Sequence, residues 1–163
     1  MKIEKILVPL DGSALAESAI ATAVEMAHPG GCNLMLMRAA EAHTFPGADA
    51  TDAQVAVVRE AETYLAGVAE RLKQQGLTKV ETSVWYGPAA AAIVDAARAR
   101  KADLIVMTTH GRGGLGRLVL GSVAESVLRG TTTPILLLRA PQAPVEAPKG
   151  TGQARPAKEA SDV

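Results

Sequence analysis

The chain is short of the residues that several functions would require. It has a single cysteine, Cys32, among 163 residues, so no internal disulfide can form, and Cys32, His28 and His43 show no metal-ligand spacing. Aromatics make up 2% (Phe45, Tyr64, Trp85, Tyr86), too few for a stacking platform for bases, and the core must come from Leu, Val, Ile, Met and Ala. Neither sign of charge is in excess: 17 basic residues face 17 acidic ones, whereas domains that neutralise phosphate backbones carry a marked basic surplus. No apolar run approaches the roughly 18 residues that would cross a bilayer. The opening Met1-Lys2-Ile3-Glu4-Lys5 leads into too few apolar residues for a signal peptide. The expected setting is a reducing cytoplasm, with neither membrane nor nucleic acid as a partner.

What is present suits one soluble domain: 48% apolar and 21% charged residues. Ile3 to Pro9 is short, β-branched and closed by the turn-like Leu10-Asp11-Gly12-Ser13, which predicts a buried strand. From Ser13, the expected N-cap, Ala16, Ile20, Ala23, Val24 and Ala27 recur at helical spacing. Cys32 to Ala39 is a nearly continuous apolar strand, and the polar stretch Glu41 to Thr51 is a loop. Val55, Val58, Leu65, Val68, Ala69 and Leu72 mark a long helix that Gly76 stops, with spacing that is ordinary for a core face. Lys79 to Tyr86 alternates like a strand. Gly87-Pro88 opens an alanine-rich helix to about Arg100, with Pro88 in its first turn. Asp103 to Thr108 reads as a strand, Ser122 to Arg129 as a helix, and Pro134 to Arg139 as a last strand.

Continuous apolar strands alternating with helices point to an α/β, doubly wound, five-stranded parallel sheet with helices on both faces. The expected domain is 1–140. Residues 141–163 carry four prolines and no Leu, Ile, Met or aromatic residue, a composition expected to remain disordered.

The most informative stretch runs from Thr108 to Ser122, between a strand and a helix at the carboxyl end of the sheet, where open α/β folds bind ligands. Its five glycines (Gly111, Gly113, Gly114, Gly116, Gly121) leave backbone N–H groups open to anions, and Gly121-Ser122 begins a helix whose N-terminus favours phosphate. No acid stands between Asp103 and Glu125, while Arg112 and Arg117 do. On spacing alone a flexible turn accounts for these glycines as well as a phosphate cradle does. The pattern is neither a P-loop nor the dinucleotide fingerprint.

With Val8-Pro9-Leu10-Asp11-Gly12-Ser13 after the first strand, and Thr109-His110-Gly111, nine residues, then Gly121-Ser122, the chain resembles the universal stress protein family over residues 1 to 139. Thr108 stands where the family's Gly-x-x-Gly, nine residues, Gly-Ser pattern has its first glycine. The resemblance implies a Rossmann-like, adenine nucleotide α-hydrolase-like fold that binds ATP, with or without Mg²⁺. It implies that Asp11 binds the ribose or adenine side, Pro9 lines the pocket, the backbone at Ala39 meets the adenine edge, and Gly111, Gly121 and Ser122 hold phosphates. Gly12, Thr108 and Arg112 complete the candidate contacts. It also implies a homodimer formed through the last strand, Ile135-Leu136-Leu137-Leu138, whose unpaired edge would otherwise be an aggregation hazard.

Against these stand plainer roles: Asp11 in an Asx turn ahead of Ser13, His110 as a packed loop residue, and Arg112 and Arg117 as solvated charges. No catalytic base or metal carboxylate pair is visible, so the expected activity is binding, with at most slow ATP hydrolysis or self-phosphorylation. Two alternatives are a nucleotide-free scaffold acting through protein contacts and an adenine-nucleotide hydrolase or adenylyl transferase.

Overall fold

The computed structural model describes residues 2–27, 31–41, 50–109 and 120–139. His28, His43, the glycine-rich segment with His110, Gly111 and Arg112, and the tail from Pro141 lie outside them. The apolar runs are strands β1 (Lys5–Pro9), β2 (Asn33–Ala40), β3 (Val80–Tyr86), β4 (Leu104–Thr108) and β5 (Ile135–Leu138). Between them run helices α1 (Ala14–Ala27), α2 (Ala50–Gln74), α3 (Ala89–Ala99) and α4 (Ser122–Gly130). Every strand pairing is parallel, and the order across the sheet is β3-β2-β1-β4-β5. The chain therefore steps one way from β1 to β3, then crosses back to β4 and β5. With right-handed crossovers, this reversal puts α1 and α2 on one face and α3 and α4 on the other. This is the expected doubly wound, Rossmann-like α/β fold.

Strand alternation feeds both layers. Ile6, Val8, Leu34, Leu36, Leu104 and Val106 pack against Ala19 and Ala23 of α1 and Leu65, Val68 and Leu72 of α2. Leu7, Met35, Met37, Ile105 and Met107 meet Ile93, Ala96 and Ala97 of α3 and Ala124 and Val127 of α4. Alanines on α1 and α3 let those helices sit close to a sheet of larger side chains. Cys32 is a small buried residue of the first layer. Among the described residues no helix is long and apolar enough to cross a membrane.

Several expected boundaries shift, each for a local reason. β1 starts at Lys5 rather than Ile3, since the N–H groups of Glu4 and Lys5 both donate to Asp103 Oδ2 at 2.9 Å, a side-chain clasp just before β4. The expected loop to Thr51 is cut short because α2 begins at Ala50, with Asp52 placed in the first turn where the helix dipole favours an acid. Its early turns stand clear of the core: Val55 is 43% exposed, and full burial starts at Ala61. Pro88 is the N-cap of α3 rather than its first helical residue, at φ −56° and ψ 135°. Gly76 does end the α2 region, at φ +96°.

Candidate functional site

Where β1 and β4 lie side by side and the chain winds away from them in opposite directions, the strand ends leave a crevice. A cavity of about 490 Å³ occupies it, within the range of small-molecule sites. Its floor and inner wall are apolar: Met37 from β2, Met107 from β4 and Ile93 from α3, all buried in the second core layer. Its rim is made by the residues that leave the strands, Pro9, Leu10 and Asp11 after β1, Arg38 and Ala39 in β2, and Thr108 and Thr109 at the end of β4. Helix starts close the remaining sides, through Ala16 of α1, Ala89 of α3, and Gly121, Ser122 and Val123 at the start of α4.

Three helix amino-termini thus converge on one space. In α1 the first turn is capped: Ser13 Oγ accepts the Ala16 N–H at 3.1 Å. The starts of α3 and α4, at Pro88 and Gly121, carry no side-chain cap. Their leading N–H groups and dipoles favour negative charge at this part of the cavity. Gly121 also pins the base of the glycine-rich segment, since its N–H donates to the Thr109 carbonyl at 2.7 Å. The Thr109 N–H in turn donates to Leu138 at the end of β5 at 2.9 Å.

Asp11 is held tightly. Its Oδ1 accepts the Ser13 N–H at 2.9 Å and the Ser13 hydroxyl at 2.6 Å, the Asx turn that its position predicts. Gly12, at φ +84°, makes the turn possible. Asp11 therefore both builds the entry to α1 and borders the cavity. β1 and β2 are locked at the same level by the Leu10 N–H, which donates to the Met37 carbonyl at 2.8 Å.

Of the residues singled out in the sequence, Pro9, Asp11, Ala39, Thr108, Gly121 and Ser122 all border this cavity. Gly12 does not line it, and Gly111 and Arg112 lie outside the described residues. Thr108, in the position of the pattern's first glycine, is buried in the wall. Sequence reasoning missed the apolar lining, because Met37, Met107 and Ile93 look like any other core residue. It also missed Arg38, whose signal was available: a charge set inside an apolar strand next to Ala39. Among the described residues no group of three or more His, Cys, Asp and Glu side chains could hold a metal ion.

Comparison with known proteins identifies the family and the fold. The model of the universal stress protein family matches residues 2–139. A universal stress protein of Methanocaldococcus jannaschii is 32% identical over 143 residues, covering 85% of this chain and 84% of its own. Among solved structures, a universal stress protein from Lactobacillus plantarum superposes with a TM-score of 0.69 at 26% identity, over 85% of this chain and 99% of the other. A family protein from Arabidopsis thaliana with AMP bound matches with a TM-score of 0.61 over 83% and 90% of the two chains, and at 14% identity that likeness is one of fold.

Proposed function

The chain belongs to the universal stress protein family, and from that premise we propose that it binds an adenine nucleotide, ATP with or without Mg²⁺, in the crevice at the strand ends. The observation that carries the reading is the pair of uncapped helix starts, at Pro88 and Gly121, opening on one cavity. Such termini favour phosphate, and the segment between Thr109 and Gly121 adds arginines and no acid. In this reading the phosphates lie against Gly121 and Ser122, joined by Gly111 and Arg112. Thr108 lies beside them in the wall. Asp11, with Gly12 shaping its turn, accepts ribose hydroxyls. Pro9 forms the wall, and the Ala39 backbone meets the adenine edge. The AMP carried by the Arabidopsis relative supports an adenine nucleotide as the ligand class.

The protein acts as a small cytoplasmic stress-response or regulatory homodimer, with hydrolysis at most slow. What supports the dimer is β5: it is the edge of the sheet, and its four apolar residues are only half-buried. Self-pairing across a two-fold axis would cover that edge.

The test is gentle purification followed by denaturation and identification of released nucleotide, with Gly121→Asp in parallel. Gly121 has an ordinary N-cap conformation, φ −58° and ψ 146°, and aspartate is a good N-cap, so the variant keeps its helix while setting a negative charge at the phosphate end. Wild type should yield stoichiometric nucleotide or take up added ATP, and the variant should do neither while melting no lower. A wild type that stays empty under ATP and Mg²⁺ overturns the reading in favour of the scaffold alternative, which Thr108 in place of the pattern's first glycine favours. Turnover above about one per second selects the hydrolase or transferase alternative instead.

A further inference from the structure

Arg38 sits in a strand whose other inward-facing residues are apolar, and its side chain is only 12% exposed. Burying a guanidinium is costly unless its surroundings are built for it, and here they are. Its Nη2 donates to Glu60 Oε1 of α2 at 3.0 Å, and the group stacks over the Tyr64 ring at 5.2 Å from the centroid. Tyr64 carries the connection onward: its hydroxyl donates to Glu17 Oε1 of α1 at 2.8 Å. The other Glu17 oxygen accepts from Arg71 Nη2 at 2.8 Å. Glu17 follows Ala16, so the relay begins beside Ala39 on one wall of the cavity and ends beside Ala16 on another. α2 itself, which supplies Glu60, Tyr64 and Arg71, contributes nothing to the lining. The network therefore ties together two cavity walls that belong to different elements, starting from Arg38 in the lining and passing through α2 residues that stand outside it.

We infer that Arg38 is a positioning residue for the nucleobase half of the site. Through Tyr64 and Glu17 it holds the end of β2, where the Ala39 backbone meets the base, at a fixed separation from the start of α1. The phosphate half, built on α4, is left untouched. The inference rests on the nucleotide reading above. It separates two ligands that a general loosening of the fold would treat alike: ATP uses both halves, and inorganic tripolyphosphate uses only the phosphate half.

The experiment measures the affinity of wild type, Arg38→Ala, Arg38→Lys and Tyr64→Phe for ATP and for inorganic tripolyphosphate, with melting temperatures alongside. Arg38→Ala should weaken ATP about tenfold and tripolyphosphate less than about twofold. Tyr64→Phe keeps the stacked ring and loses only the bond to Glu17, so it should weaken ATP about threefold on the same pattern. It also serves as the conservative probe should Arg38→Ala fold poorly. Arg38→Lys keeps the charge but not the flat stacking face, and its rescue should be partial. Equal losses for both ligands, or losses that follow only the melting temperature, overturn the positioning role. ATP affinity unchanged in both Arg38→Ala and Tyr64→Phe, with wild type binding, overturns it as well and leaves the nucleotide reading standing. A wild type that binds neither ligand removes both.

Discussion

Replacing Ser13 by alanine deletes one oxygen that acts twice at the entry to α1. Oγ accepts the Ala16 N–H at 3.1 Å and donates to Asp11 Oδ1 at 2.6 Å. The first contact is an N-cap, which typically contributes about 1 kcal/mol. The second is a hydrogen bond to a carboxylate. Because Asp11 Oδ1 keeps the Ser13 N–H and the site is only part-buried, its loss should cost about 0.5–1 kcal/mol, below the usual range for charged partners. The variant should therefore lose about 1.5–2 kcal/mol, or roughly 4–7 °C in Tm for a chain of this length. Urea unfolding followed by circular dichroism measures it, and the m value should not change, since the folded core is the same. Asp11→Asn is the informative partner. Its amide oxygen can still accept both Ser13 donors, so the Asx turn survives and the loss should be about 1 kcal/mol or less. The double variant should lose less than the two single losses together, because Asp11→Asn weakens the Ser13 hydroxyl bond by removing its charge, and in Ser13→Ala that bond is already gone. A cost for Ser13→Ala below about 0.5 kcal/mol, or strict additivity, would refute this account of how α1 begins.

Three further outcomes can be checked with the same purified protein. Gly76 sits at φ +96° with nothing within 4 Å of where a Cβ would be, so Gly76→Ala should cost about 1 kcal/mol in urea unfolding from backbone strain alone. Burial first, and the hydrogen bond to Glu17 second, hold the Tyr64 phenol protonated above its ordinary value of 10.0. The unfolded chain gives up that proton first, so the stability this group supplies is whole below about pH 10 and is lost as pH rises further. Urea midpoints taken from pH 8 to 11 should therefore fall less steeply for Tyr64→Phe than for wild type. Burial likewise pushes the Cys32 thiol up, and a disulfide reagent at neutral pH should label it slowly in the native protein and rapidly in urea. Fast native labelling would contradict its place in the core.

The fold was legible because its signals are local and agree with one another. Ser13 follows a strand and precedes a helical stripe, and the same residue turns out to be the cap. Gly76 ends a stripe and takes the backbone angle that its lack of a side chain allows. The clustering of Pro9, Asp11, Ala39, Thr108, Gly121 and Ser122 on one cavity follows from placing them at strand ends and helix starts of a doubly wound sheet. What could not be read depends on contacts between distant parts of the chain. The start of β1 is set by Asp103, about a hundred residues away in sequence. The place of Arg38 is set by Tyr64 and Glu60 on a helix that hydrophobic periodicity describes only as a core stripe. Val55 continues that stripe in sequence and yet is exposed, because periodicity identifies a face without saying how far the sheet extends beneath it.

The middle strand of the finished sheet is also the first one to leave the ribosome. β1 can find β2 early, but its other flank belongs to β4, and the clasp from Lys5 to Asp103 spans 98 positions of chain. At ordinary rates of synthesis that interval lasts roughly 5–20 seconds, during which Ile6-Leu7-Val8 has one side without a partner. A message broken off after α3 would release a three-stranded fragment with its most apolar strand at the margin, ready to stack on any similar edge. Errors late in translation should thus be far more damaging to this chain than the modest contribution of its last third to the core would imply. Cells making it in quantity would need holdase capacity in proportion to the rate at which new copies are begun.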